Sequence, residues 1–372
     1  MLCRPLLRRF MATPVQILGG AHLPVFHTSR TMPRRAARKL FMSNRPINAF
    51  LRFSGVAFGS RSIPSEEIDA AFGMPVGKLR HRAGIISVAY AAGEETEVSL
   101  AAKAADSVLR NAGISAHALD WIIATSETHH AFPSLAAQLH LALGARETCG
   151  VLDVGGACLG LLNALAVAKA FVESGQAETV LVATADVHSR TLTAERVAGE
   201  FGGLFGDGAS AFLVQSESAP KGTFALREFF FGCASQLQAA IQVKAEPEDR
   251  LHVVFEGDAL SRAATTRLDQ CIGELERRSS IPRCEVAAFA THQPNPRLVA
   301  LLAKKAGVAV EKFPAVADTC GNLGSTTCAA ALHLALEAVR TRNDGGRRAI
   351  FLASLGPGLL FGGGWIEAGG EK

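Results

Sequence analysis

Three residues of this chain combine a reactive type with surroundings that suit chemistry. Cys158 follows Gly155-Gly156-Ala157 and opens a long apolar segment that reads as a helix. A thiol at such a helix start lies near free backbone N–H groups and the positive end of the helix dipole, which favours thiolate and predicts a pKa below its ordinary value of about 8.5. The glycines allow a tight turn and close approach of a ligand. A small buried cysteine at a helix start fits the same segment, since free cysteine is among the most buried residue types. His292, in Thr291-His292-Gln293-Pro294-Asn295, directly follows an apolar run that reads as a strand, which places its imidazole on a strand-end loop. Asn322, in Cys320-Gly321-Asn322-Leu323-Gly324-Ser325, stands just before a helix. Taken singly, His292 is one of 11 histidines, and Asn322 reads as an ordinary N-cap or turn residue. A cysteine whose thiol can act as a nucleophile, an imidazole and an amide on strand-end and helix-start segments make a constellation more specific than any one member.

What raises these residues above their neighbours is an internal duplication. The first copy runs strand Trp121–Thr125, helix Phe132–Leu143 introduced by Pro133, strand Gly150–Val154, helix Cys158–Val172, strand Thr179–Thr184. The order returns as strand Val286–Ala290, helix Pro296–Ala306, strand Pro314–Val316, helix Ser325–Val339 and strand Ala349–Ser354. Asp153 matches Asp318 and Gly156 matches Gly321, each pair 165 residues apart. The same offset sets His292 against Glu127 and Asn322 against Ala157, beside the nucleophile. Alternating strands and helices predict a mixed, largely parallel sheet covered on both faces. With extra strands at Ala209–Val214 and Leu359–Ile366, two such units are expected to stack as a five-layered α/β/α/β/α sandwich. Ligands of α/β sheets gather at carboxyl strand ends, so residues distant in sequence can meet there.

Composition sets the outer limits. With 372 residues, 48% of them hydrophobic and 19% charged, the chain can build a large core. The net charge of +4 is small, and basic residues beyond the N-terminus are mixed with acids, which gives no support to a nucleic-acid partner. Eight cysteines at irregular spacing, without CxxC pairs, suggest neither a disulfide framework nor a zinc site, and a reducing cytoplasm is expected. No metal, flavin or nicotinamide pattern is present. The longest apolar run, Leu159 to Val172, is broken by Asn163 and Lys169 and is too short to cross a membrane. Between Met1 and Ser65 there is no acidic residue, while eleven arginines and lysines accumulate. Organellar transit peptides share that composition. The length, the prolines and the alternative starts Met11, Met32 and Met42 favour instead a disordered or mis-assigned extension over residues 1–48. The expected division is therefore this extension, a first half over 49–215 carrying the cysteine, and a second over 216–372 carrying the histidine and asparagine.

The segments Gly156-Ala157-Cys158-Leu159-Gly160, Thr291-His292-Gln293-Pro294-Asn295, Gly321-Asn322, Phe205-Gly206-Asp207-Gly208-Ala209 and Ala131-Phe132-Pro133-Ser134 resemble, in order and interval, the β-ketoacyl-acyl-carrier-protein synthase III family of the thiolase superfamily. The likeness runs from about residue 49 to the C-terminus. It implies that Cys158 takes an acyl group from acyl-coenzyme A and that a malonyl-acyl-carrier protein then condenses with it, with loss of carbon dioxide. His292 and Asn322 would hold the enolate. Acyl-coenzyme A is then a substrate, with no cofactor permanently bound. The resemblance further implies a coenzyme A contact at Arg82 and a second at Arg196. It also implies a pocket cap at Phe132 that reaches across a homodimer and favours a short primer, and a pocket wall at Gly356 in the glycine-rich Ser354–Gly358 loop. A solvated basic patch with Lys78, Arg80 and His81 also fits Arg82, and a core aromatic at a helix start also fits Phe132. The chain departs from the family at Lys78, where a tryptophan is common, between Arg196 and Gly206, where it is longer, and in detail along the Ser354–Gly364 glycines. A specialised relative joining two acyl chains, or acylating a hydroxyl or amine, would keep the same three residues. A degradative thiolase would need a further cysteine after Cys328, and a non-catalytic subunit would have lost Cys158.

Overall fold

The computed structural model describes residues 47–368 except 198, 217–222, 237–240, 248–249, 256 and 343–345, so nearly all of the basic extension lies outside the described residues. In chain order the elements are β1 (Phe50–Phe58), β2 (Arg61–Pro64), α1 (Ser65–Ala71), β3 (Ser87–Tyr90), α2 (Glu97–Ala112), β4 (Trp121–Thr125), α3 (Leu135–Leu143), β5 (Gly150–Asp153), α4 (Gly160–Glu173), β6 (Thr179–Val187), α5 (Glu200–Gly203) and β7 (Asp207–Gln215). There follow β8 (Phe224–Cys233), β9 (Ile241–Ala245), β10 (Leu251–Phe255), α6 (Gly257–Ser279), β11 (Ala288–Thr291), α7 (Pro296–Ala306), α8 (Ala317–Cys320), α9 (Ser325–Arg340), β12 (Ala349–Gly356) and β13 (Leu360–Ala368).

The strands repeat one topology twice. In the first copy the order is β5-β4-β6-β7-β1, with β4 parallel to both β5 and β6 and the remaining pairs antiparallel. In the second it is β11-β12-β13-β8, again with one parallel pair followed by antiparallel ones. The two sheets join through a short antiparallel contact, Phe50 opposite Ala225 and Leu51 opposite Phe224. The counterpart of β5 is missing: 314–316, expected as a strand, is irregular. The side chain of Gln293 occupies the hydrogen bonds a neighbouring strand would make, its Nε2 donating to Pro314 O at 2.6 Å and its Oε1 accepting from Val316 N at 3.2 Å.

Three apolar clusters account for the layers. One packs α2 and α3 on the outer face of the first sheet through Leu100, Ala104, Val108, Leu135 and Leu139. Another sandwiches α4 and α9 between the sheets, with Leu162, Leu165, Ala329 and Leu332 meeting Val182 on one side and Leu352 on the other. The third sets α6 and α7 on the outer face of the second sheet. The result is the five-layered sandwich, with helices that start where their sequences say they should. Thr96 and Ser99 form a reciprocal capping box on α2. Asn295 accepts from Leu298 N to cap α7, with Pro296 in its first turn. Helix α3 begins at Leu135, three residues later than expected, because the Asp153 carboxylate at the end of β5 takes the N–H groups of Leu135 and Ala136 at 3.0 and 2.9 Å. That carboxylate satisfies donors that have no intrahelical partner.

In the outer core of the second sheet, Phe289 stacks on Phe313 at 5.0 Å and meets Phe351 edge-on at 5.9 Å, with no exposed surface. Phe289→Ala is expected to lower unfolding free energy by about 3–5 kcal/mol, because the facing rings lose their contacts and a cavity remains. Urea unfolding followed by far-UV circular dichroism measures this.

Candidate active site

The carboxyl ends of β4, β6, β11 and β12 meet the starts of α4 and α9 around one cavity of about 600 Å³, bordered by Cys158, His292 and Asn322 together. Cys158 sits in a short 3-10 turn, Ala157–Leu159, that feeds α4. The chain enters this turn through Gly156 at φ 131° and Ala157 at φ 48°, a left-handed conformation that a residue with a Cβ adopts at some cost. Backbone strain of this kind persists where surroundings over-determine it. Here β12 supplies the constraint: Ser354 Oγ donates to Cys158 O at 2.6 Å, and a Cβ on Gly356 would stand only 3.3 Å from Gly156 O. Gly356 also borders the cavity.

His292 leaves β11 with its N–H bound to Ala353 O at 3.0 Å, and its ring is buried, the Nδ1 without a hydrogen-bond partner among the described residues. Burial pulls its pKa down to about 4, partly opposed by the charge of Glu127. At neutral pH the imidazole is uncharged.

Asn322 is fixed by its backbone and by one end of its amide. Its N–H donates to Leu204 O at 2.8 Å and its carbonyl accepts from Gly206 N at 2.9 Å. Gly206 is required there: a Cβ would come within 2.0 Å of Cys320 O. The Phe205–Ala209 motif thus splices the second half's loop to the first half. Asn322 Oδ1 accepts from Gly324 N at 3.0 Å and from Thr327 Oγ1 at 3.1 Å, which leaves the amide nitrogen as the group available to the cavity.

The thiol departs from expectation. Burial, and after it the carboxylate of Glu127, push the Cys158 pKa well above its usual value instead of below it. A helix end offers about half an elementary charge, and the loss of water together with a full negative charge nearby outweighs it. Sequence reasoning also missed the groups that surround the thiol. Asp186 and His188 are buried with it, Glu127 is mostly buried with its Oε1 fully so, and Glu127 and His188 border the cavity. Glu127 was signalled as the partner of His292 across the 165-residue offset, yet a strand-end glutamate gave no chemical role without its neighbours.

The remaining sequence expectations divide. Arg196 borders the cavity, its Nη1 donating to Thr191 O at 2.6 Å. Arg82 is exposed on a turn, Leu79–Ala83, and does not border the cavity. Phe132 is 98% exposed and belongs neither to the core nor to this chain's own cavity, so it is not one more core aromatic. Lys78 pairs with Glu200 at 3.1 Å. One wall of the cavity is apolar, with Ile241 and Val243 of β9, Leu251 of β10 and Leu260 of α6. Among the described residues no cluster suits a metal ion and no helix is long and apolar enough to span a membrane.

Known proteins resemble this chain in both sequence and fold. Two family models match it: 3-oxoacyl-[acyl-carrier-protein] synthase III over residues 152–230, and the C-terminal part of the same enzyme over 277–368. The β-ketoacyl-[acyl-carrier-protein] synthase III of Serratia proteamaculans is 31% identical over 283 residues, 76% of this chain and 87% of the relative. That of Sodalis glossinidius is 32% identical over 284 residues, with the same coverage. Among solved structures, 3-oxoacyl-[acyl-carrier-protein] synthase III from Aquifex aeolicus superposes with a TM-score of 0.76 at 25% identity, covering 86% of this chain and 99% of the other. A variant of Xanthomonas campestris OleA gives the same TM-score at 18% identity, over 87% and 100% of the two chains, and shares the fold. With a relative above 30% identity aligned over three quarters of its length, and with the thiolase-like sandwich built around the cysteine, this chain belongs to the β-ketoacyl-acyl-carrier-protein synthase III family of condensing enzymes.

Proposed function

We propose that the protein is an acyltransferase of fatty-acid biosynthesis that loads an acyl group from acyl-coenzyme A onto Cys158 and condenses it with malonyl-acyl-carrier protein. The observation that carries this reading is the convergence of Cys158, His292 and Asn322, from two halves of the chain, on one cavity. In loading, Cys158 Sγ bonds to the thioester carbonyl carbon and coenzyme A leaves as a thiol. The Cys158 N–H lies in the first helical turn, where such groups have no intrahelical acceptor, and is suited to hold the carbonyl oxygen. In condensation, the malonyl thioester loses carbon dioxide, and the resulting carbanion bonds to the acyl carbon and frees the Cys158 sulfur. While charge builds on the malonyl thioester oxygen, the uncharged imidazole of His292 and the amide nitrogen of Asn322 donate to it. A cationic acid there would protonate the carbanion; two neutral donors stabilise it without quenching it.

Arg196, at the cavity wall, is the arginine we assign to the coenzyme A phosphates, while Arg82 could act only through the outer parts of the nucleotide. We read the protein as cytoplasmic and as a homodimer. The dimer is supported by β5, a sheet edge with Val151 39% exposed, and by the neighbouring exposed Leu141 and Phe132. Division into halves 49–215 and 216–372 agrees with the repeat of strand order. A second reading, a specialised enzyme joining two acyl chains, is favoured by one feature, the apolar wall of Ile241, Val243, Leu251 and Leu260.

Intact mass after exposure to acyl-coenzyme A thioesters of two to sixteen carbons tests the assignment. One acyl adduct is expected on the parent protein and none on Cys158→Ala; short chains favour initiation, long chains the joining of two acyl groups, and an equal adduct on Cys158→Ala would overturn the nucleophile. Asn322→Ala should still load but condense with the malonyl thioester about 100- to 1000-fold more slowly, read by carbon dioxide release. The neutral His292 predicts a pH signature. Its folded pKa of about 4 lies below the ordinary value, so the unfolded chain takes up a proton near pH 6.5 that the folded site refuses. Stability should therefore fall as pH drops from 6.5 toward 4, by about 2–3 kcal/mol more in the parent than in His292→Asn, measured by urea unfolding at pH 7 and 4.5.

A further inference from the structure

Glu127 is built into the site with unusual care for a loop residue. Its N–H donates to Asp186 Oδ1 at 2.5 Å, and Asp186 also receives Ser126 Oγ at 3.3 Å and Ser325 Oγ at 2.6 Å, which ties the loop after β4 to β6 and α9. One carboxyl oxygen, Oε2, lies 3.7 Å from His188 Nε2, while His188 Nδ1 meets Gly206 O at 3.2 Å. The other, Oε1, is buried with no hydrogen-bond partner among the described residues, and Gly324 opposite it has no room for a Cβ, which would stand 3.0 Å away. Glu127 borders the cavity beside Cys158. An ion pair serving stability alone would satisfy both oxygens, because an unpaired buried polar atom costs about 1–3 kcal/mol. The unfilled oxygen is directed to the site's chemistry.

We propose that Glu127 is the catalytic base that accepts the Cys158 thiol proton during acyl loading, with His188 as the positioning residue that holds its other oxygen; this rests on the acyl loading of Cys158 proposed above. The site needs such an acceptor. At neutral pH the thiol keeps its proton, and His292 binds one only near pH 4. Burial raises the Glu127 carboxyl, but His188, Cys158 and His292 outweigh it and hold Glu127 below its ordinary value. Burial likewise works against a charged His188, and Glu127, Asp186 and Asp207 raise it to about 9, so the pair stands as carboxylate and imidazolium. These groups, from β6, β7, the nucleophile turn and the loop after β11, are the titratable ones facing the pair. As Sγ bonds to the acyl carbon, its proton passes to Glu127 Oε1. When the carbon–sulfur bond to coenzyme A breaks, Glu127 gives that proton to the departing sulfur. Coenzyme A leaves as a neutral thiol and Glu127 is again ionised.

Single-turnover loading with butyryl-coenzyme A, quenched and read by intact mass between pH 6 and 9, tests this in the full-length protein. The parent should load at a nearly level rate across pH 6–8, because base and thiol are paired in advance; a tenfold rise per pH unit would mark a free thiol awaiting ionisation and overturn the proposal without any variant. Glu127→Gln should load about 100- to 10,000-fold more slowly at pH 7 and recover about tenfold per pH unit. His188→Gln should lose less and shift the level region of the profile upward, a change that a packing defect would not produce. Loading of Glu127→Gln at the parent rate overturns the proposal, and so does normal loading with lost condensation, which would move Glu127 to the second thioester. Absence of loading in the parent overturns the function itself, a result distinct from both.

Discussion

Withdrawal of the strand-end cavity from water is the constraint on which the rest of the site depends. Desolvation lowers the pKa of His292 and raises that of Cys158, and it opposes both charges of the Glu127–His188 pair, which persists because each group stabilises the other. At the surface, screening and hydration would return each group to its ordinary pKa. The sandwich achieves the withdrawal by placing both central helices, α4 and α9, so that their starts face the same strand ends. Small residues permit this closeness. Helix α9 opens with Ser325-Thr326-Thr327-Cys328-Ala329-Ala330-Ala331, all buried, and Thr326 reaches across to Thr184 of β6 at 2.8 Å.

Much of this was legible in the sequence. Alternation of apolar strands and amphipathic helices gave the layers, and the 165-residue offset gave the duplication, which survives so faithfully in the centre that α4 begins at Gly160 and α9 at Ser325. Cys158, His292 and Asn322 were recognisable because each occupies a strand-end or helix-start segment that the duplication places near the others. The failures have local causes. The segment 314–316 carries a strand's apolar pattern, but Gln293, a side chain 21 residues away, takes the hydrogen bonds a strand would need. The thiol was misjudged because a helix-end argument counts neither burial nor a carboxylate brought in by another loop.

Glu127 and His188 lay beyond reach for a related reason. They are 61 residues apart in sequence and meet only because β4 and β6 are parallel neighbours, with Thr125 opposite Thr184. Neither residue has a distinctive flanking motif. Strand adjacency is a property of the sheet, and pairwise contacts across it are where function escapes a one-dimensional reading.

The splice between Asn322 and the Leu204–Gly206 segment also bears on how such a duplicated chain can change over time. Asn322, from the second half, is held by main-chain hydrogen bonds to the first, through a glycine that tolerates no side chain. Each half has therefore become part of the other's template: a shift in Leu204–Gly206 or in Cys320–Asn322 displaces the same amide. The lining along β9 and β10 lies outside that seam, so a side-chain change there alters the cavity without touching the hydrogen bonds that hold Asn322. The seam thus makes the geometry of each half a condition of the other's.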